Sequence, residues 1–210
     1  MSARPLLSRW PRAAALALAA ALGLAAGTAG AQAQAVVGAV ADIGAGAANN
    51  TVGAVTVNEA AGLNNAQSNQ LTITSGAPLM VNGTSSAQSA SANARLPYAS
   101  ASIGAGAFAN ASGAVMVNQT AGVGNTQSNS ARIGAGVIGV ETVSDGDLSA
   151  AAATNGGPGQ SAQASGIREA SIGSTAFRNA TGLVQVNQTV GAGNATANSF
   201  VLRPPAGTLF

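Results

Sequence analysis

The sequence predicts an all-β protein, a stacked three-repeat β-solenoid or cross-β arch with flexible linkers, preceded by an N-terminal signal helix. Three observations predict it. A 31-residue pattern occurs three times without gaps, at residues 43–73, 103–133 and 172–202. Within each copy the repeated positions fall on one parity, which is the period of a strand and not of a helix. Hydrophobic letters make up 47% of the 210 residues, but most are alanine, and aromatics reach only 3%. No single copy therefore has the large apolar side chains that an independent core needs.

Residues 1–35 read as a secretory signal. Arg4, Arg9 and Arg12 form its positive start, residues 13–26 its apolar run, and Ala31-Gln32-Ala33 or Ala33-Gln34-Ala35 its small-x-small cleavage site. Fourteen apolar residues fall short of the roughly 20 that a membrane-spanning helix needs. The exported form is thus expected to keep no stable membrane insertion. With no cysteine in the chain, neither a lipid anchor, a disulfide nor a thiolate metal site is available. Loss of the signal leaves five arginines against six acids, a net charge of about −1. That removes the basic field that nucleic-acid binding requires.

The repeats begin at Ile43, Ile103 and Ile172, and each is expected to hold three short strands joined by two bends. In the middle run Val55, Val57, Val115, Val117, Val184 and Val186 share one face and are expected to pack inward, with Thr56, Met116 and Gln185 facing out. The last run alternates Asn65, Gln67, Asn69 with Ala66, Ser68, Gln70, and the second copy repeats this as Asn125, Gln127, Asn129. The third copy has Thr196 but keeps Asn194 and Asn198. Gly53, Gly113 and Gly182, then Gly62, Gly122 and Gly191, stand between the runs as corner glycines. Residues 74–102 and 134–171, rich in Ser, Ala, Gly and Asn and including Gly156-Gly157-Pro158-Gly159, read as linkers, and residues 203–210 as a C-terminal tail.

Energetics chooses the arrangement. Ordering the backbone costs about 1–2 kcal/mol per residue, which one alanine-rich repeat does not offset. Stacking equal repeats at about 4.8 Å pairs every strand with a copy of itself and lets like amides hydrogen-bond along the axis. The ladder positions are Asn58, Asn65, Gln67, Asn69, Asn118, Gln119, Asn125, Gln127, Asn129, Asn187, Gln188, Asn194 and Asn198. The unequal linkers cost little, because loop-closure entropy differs by about 0.2 kcal/mol between them. No like charges share a column: Glu59 aligns with Gln119 and Gln188, Arg132 with Thr72 and Val201, Arg178 with Asn49 and Ala109, Asp42 with Ser102 and Ser171. A second copy continuing the stack would repeat each charge every third layer, about 14 Å away, beyond the roughly 8 Å screening length at physiological salt.

Catalytic chemistry is not legible. Without histidine, cysteine or lysine there is no triad, thiolate, Schiff base or imidazole site, and no catalytic residue, cofactor or metal is assigned. Asp145-Gly146-Asp147 with Glu141 reads as a polar turn rather than a calcium loop. Gly44-x-Gly46 and Gly134-x-Gly136 lack the lysine and the strand-to-helix setting of a phosphate loop. Phe108 and Phe177 share a column with Ala48 and are expected to pack in the interior.

The block Val115-Met116-Val117-Asn118-Gln119-Thr120-Ala121-Gly122-Val123-Gly124-Asn125-Thr126-Gln127-Ser128-Asn129, with its copies at residues 55–69 and 184–198, resembles the repeats of Fap-type functional amyloid subunits of Gram-negative biofilms. The Gly-x-x-Asn-x-Gln spacing is more distantly similar to curlin repeats, which are shorter and abut. The Fap subunits carry a C-terminal Cys-x-x-Cys, whereas this chain has no cysteine. The resemblance implies export through an outer-membrane pore and assembly, with itself and sibling fibre subunits, into extracellular cross-β fibrils. The sequence-level expectation is therefore a secreted structural subunit, routed via the periplasm to the cell surface or matrix. A monomeric β-solenoid adhesin is the alternative, and an outer-membrane barrel lacks the aromatic and lipid-facing bands it needs.

Overall fold

The computed structural model describes residues 35–75, 86–135, 151–155 and 166–202. Residues 1–34 of the signal segment, the acidic group at 141–147, the Gly156–Gly159 stretch and the tail from residue 203 lie outside the described residues. The described part is all strand and turn, in three layers. The first layer holds β1 (Ala35–Ile43), β2 (Val52–Leu63) and β3 (Ala66–Ser75), and β4 (Gln88–Ala92) lies in the connection that follows. The second holds β5 (Ala94–Ile103), β6 (Ser112–Val123) and β7 (Thr126–Ala135), followed by β8 (Ala151–Asn155). The third holds β9 (Ile167–Ile172), β10 (Thr181–Ala192) and β11 (Ala195–Leu202).

Equivalent strands pair across layers. The sheets are β1-β5-β9, β2-β6-β10 and β3-β7-β11, with β4-β8 as a short fourth, and every pairing is parallel. Register is self-to-self: Val55, Val115 and Val184 form one column, Asn58, Asn118 and Asn187 another, and Asn69, Asn129 and Asn198 a third. A stack of this kind gives each backbone group a partner in the next layer while setting like side chains together.

The sheet β2-β6-β10 is the middle of a sandwich. One face carries Val55, Val115, Val117 and Val186 into a cluster with Ile43, Ile103 and Phe108. Toward its other end the same face meets alanines of the first sheet, among them Ala39, Ala41, Ala99 and Ala101, through Ala121 and Val123. Small side chains on both sides let these two sheets lie close. The opposite face meets β3-β7-β11, as the Asn118–Ser68 and Asn187–Ser128 hydrogen bonds show. Met116 and Gln185 are therefore buried, not outward-facing as their variability suggests, because a second sheet covers that face as well. Thr56, in the outermost layer, is exposed.

Two further differences from the sequence reading have local causes. The first strand of each layer lies upstream of the repeat and ends at its first residue, while residues 44–51 form a stacked turn instead of a strand. Gly46, Ala48 and Asn50 alternate into the left-handed region at φ 71, 51 and 58°, which breaks the extended backbone. Ala47 and Asn49 N–H close back on Gly44 and Gly46 carbonyls at 3.2 Å, and the turn bonds to the next layer through Gly46 N–H to Ala105 O at 3.0 Å. Left-handed Ala and Phe cost about 1–2 kcal/mol each, offset by those interlayer bonds.

The segments read as linkers also carry strands. In β5 the run Ala99-Ser100-Ala101-Ser102 alternates buried alanine with outer serine, a period-two signal hidden by its two-letter composition. Pro97 within β5 sits at the register shift opposite Val36–Gly38, where a bulge removes the need for its missing N–H. Near the far ends of the second and third sheets an apolar groove of about 530 Å³, lined by Leu71, Ile73, Ile133, Phe200 and Leu202, runs along the stack.

Amide columns and open ends as the candidate functional site

The pairs β2 and β3, β6 and β7, and β10 and β11 face one another through Asn and Gln side chains, and these continue from layer to layer. Asn187 Nδ2 donates to Asn118 Oδ1 at 3.0 Å, and Asn118 Nδ2 to Asn58 Oδ1 at 3.0 Å. On the facing sheet Asn198 donates to Asn129 at 3.0 Å and Asn129 to Asn69 at 2.9 Å. The two columns also interlock. Asn129 donates to Asn118 Oδ1 at 3.0 Å, and Asn187 to Asn129 Oδ1 at 3.0 Å. Every amide thus bonds along the axis and across the gap between sheets, and Asn118 and Asn129 are 0% exposed.

A third column stands where β2 turns into β3. Asn194 donates to Asn125 at 2.9 Å and Asn125 to Asn65 at 2.8 Å, while Asn125 also reaches the Gly191 carbonyl at 3.1 Å. The Gln column on the other face runs from Gln188 to Gln119 at 2.9 Å and from Gln119 to the Glu59 carboxylate at 2.9 Å. Glu59 also accepts the Asp42 backbone N–H at 2.7 Å. These four columns all donate from the third layer toward the first. The Gln67 column runs the other way: Gln67 donates to Gln127 Oε1 at 2.7 Å, and Gln127 turns to Thr189 Oγ1 at 3.1 Å in place of the short Thr196.

The glycines do not occupy corners between strands. Gly53, Gly113 and Gly182 are second in β2, β6 and β10, and Gly62, Gly122 and Gly191 are next to last, all with positive φ. Their missing side chains receive the neighbouring layer. A Cβ on Gly113 would strike the Gly53 carbonyl and one on Gly182 the Gly113 carbonyl. In the second column the sense is reversed: a Cβ on Gly62 would strike the Gly122 carbonyl and one on Gly122 the Gly191 carbonyl. The tight corners themselves use Asn64, Gly124 and Gly193 at φ 52, 63 and 67°.

Sequence reasoning missed two further ladders. Asn179 donates to Asn110 at 3.2 Å and Asn110 to Asn50 at 3.1 Å along the turn, although Asn stands at that position in all three copies and was legible there. Thr189 donates to Thr120 at 2.9 Å, a column that begins with Ala60 and so does not repeat fully in sequence. Phe108 and Phe177 stack with ring centroids 5.1 Å apart and planes 7° from parallel. Among the described residues no group of three or more metal-ligating side chains comes together.

The arrangement binds the three layers to one another through repeated side-chain columns. No solved structure matches this chain. The family model for functional amyloid proteins FapB/FapC matches residues 19–205, a span that takes in all three layers, and the chain belongs to the FapB/FapC functional amyloid family.

Proposed function

We propose that this chain is an exported structural subunit that self-assembles into amyloid-like fibres of the cell surface or biofilm matrix. One observation carries the reading. From Ala114 to Val123 the middle-layer strand β6 is buried throughout, whereas the matching stretches of β2 and β10 are buried only in part or exposed. The difference is the presence of a layer on both sides. A further copy on either end would bring the outer layers to the state of the middle one, satisfying edges that otherwise invite pairing. Secretion through the periplasm and an outer-membrane pore, with cleavage after Ala33 or Ala35, supplies the subunit outside the cell. Sibling fibre subunits are the natural co-assembling partners.

The test is assembly of the purified mature chain. Concentration-dependent fibrils, shortened lag on seeding and a diffraction spacing of about 4.8 Å along the fibre are expected. A chain that stays a soluble monomer at high concentration and under seeding, and instead binds a surface ligand saturably, would replace this reading with that of an adhesin.

A further inference from the structure

We propose that residues 203–210 of this chain fold back over the apolar groove at the far ends of the second and third sheets, laying Leu209 and Phe210 along the stripe formed by Ile73, Ile133 and Leu202. The contact lies within one copy and is independent of the self-assembly reading above. The stripe is the first observation. Ile73, Ile133 and Leu202 form one column, and Ile73 is 65% and Leu202 45% exposed. Gly53, Gly113 and Gly182 line the second-sheet side, where missing side chains leave a groove of about 530 Å³ between the two sheets. A volume of that order holds a compact apolar group, and contiguous exposed apolar side chains mark contact surfaces.

The course of the chain supplies the occupant. β3 and β7 run two residues beyond this column, pairing Thr74 with Gly134 and Ser75 with Ala135. β11 stops at Leu202, on the rim of the groove, and Arg203, Pro204 and Pro205 follow. The two prolines have no N–H to give a ladder and hold φ near −65°, so the chain leaves the sheet where the groove lies. The eight residues after Leu202 can extend to about 26 Å, whereas three layers span about 10 Å. That leaves length for a reversal at Ala206-Gly207, since glycine adopts turn conformations at little steric cost. Leu209 and Phe210 then return the large apolar side chains of the segment. The connections that follow β3 and β7 go on to β4 and β8, whose pairing fixes their far ends. Covered by residues 203–210, the stripe is withdrawn from water and from other chains.

Cysteine cross-linking tests the contact, because the chain has no cysteine of its own. Leu209→Cys is combined with Ile73→Cys or with Thr72→Cys. Ile73 and Thr72 are neighbours in β3 and so are tethered alike, but successive side chains of a strand point to opposite faces, and Ile73 is the one that lines the groove. Each mature chain is oxidised, denatured without reductant and separated by size. An intrachain disulfide is expected with Ile73→Cys at a rate at least tenfold above that with Thr72→Cys. Equal rates would reduce the contact to tethering and overturn the proposal. A mainly interchain disulfide would give the groove to a second copy and overturn it too. A second measurement needs no cross-link. Leu209→Ser with Phe210→Ser should raise the binding of anilinonaphthalene sulfonate, an apolar fluorescent probe, at least threefold, and the rise should vanish when Ile73→Ser and Leu202→Ser are also present. No rise, or a rise that survives in the groove variant, would show that the segment does not cover the groove. Neither readout depends on fibre growth, so the self-assembly reading and this contact fail or stand separately.

Discussion

Glu59 Oε2 accepts a hydrogen bond from Gln119 Nε2 at 2.9 Å, and among the described residues this pair is where an amide column meets a carboxylate. Inside the chain the contact is charge-assisted and favourable. At an end-to-end joint the other side of Glu59 would face Gln188, whose Nε2 already donates to Gln119, Ala101 and Ser171. Two acceptors then oppose each other with no proton between them.

Glu59→Gln should therefore extend the Gln column through the joint. One added hydrogen bond is worth about 0.5–1.5 kcal/mol, so elongation from fixed seeds is expected to quicken by about two- to twelvefold. Single-fibre growth rates at equal monomer concentration check this, and an unchanged or slower rate would show that Glu59 does not lie at the growing contact.

Asn125 and Gln127 are fully buried in the middle layer, each with partners in both neighbours. Replacing both by Ala strands several buried amides and carbonyls at about 1–3 kcal/mol each. Fibre growth should slow far more than after replacing Ser128 and Ser130 by Ala. Equal rates for the two double variants would mean that the inward amides do not set the pace.

Gly122→Ala places a methyl group onto the Gly191 carbonyl at a residue with φ 154°. Strain of about 1–3 kcal/mol from the backbone adds to the steric overlap, so the layers should separate. Gly38→Ala, where nothing lies within 4 Å, should leave denaturant resistance unchanged. A comparison of the two denaturation midpoints decides it.

Gly44→Ala distinguishes the end from the interior. A Cβ at Gly104 would stand 2.5 Å from Ala45 N and one at Gly173 2.7 Å from Ala105 N, yet at Gly44 the space is open. The substituted chain should fold as before and still offer its third layer, but its first layer should no longer dock on Ser174 of another copy. Added at low ratio to growing wild-type fibres, it is expected to stop one end and spare the other. Arrest of both ends, or of neither, in time-lapse imaging would contradict this.

Phe108→Ala should cost about 3–5 kcal/mol, since Phe108 is buried and stacked on Phe177. Phe177 is only half-buried in the third layer, so Phe177→Ala should cost less in the isolated chain. In fibres, with Ala48 of another copy above it, the two costs should converge. Chemical denaturation of monomer and fibre measures both.

Much of this architecture was readable because a parallel in-register stack pairs each residue with its own counterpart. Aligning the chain with itself therefore yields the columns directly: Asn58 with Asn118 and Asn187, Glu59 with Gln119 and Gln188, and Asn65 with Asn125 and Asn194. The amide ladders and the separation of charges follow from that alignment.

Which side of a strand is covered was not readable in the same way. Met116 varies between copies yet is fully buried, because burial depends on whether a further sheet lies against that face. The Ala-Ser run of β5 looks like linker until the first sheet packs it against Ala121 and Val123. The left-handed turn at Ala48 and Phe108 breaks the strand period for reasons no side chain announces. Pairing between like residues is a one-dimensional property that the order of amino acids already contains. The choice of facing sheet, and the backbone bends that allow it, arise only when three separate stretches of chain compete to exclude water from the same surfaces.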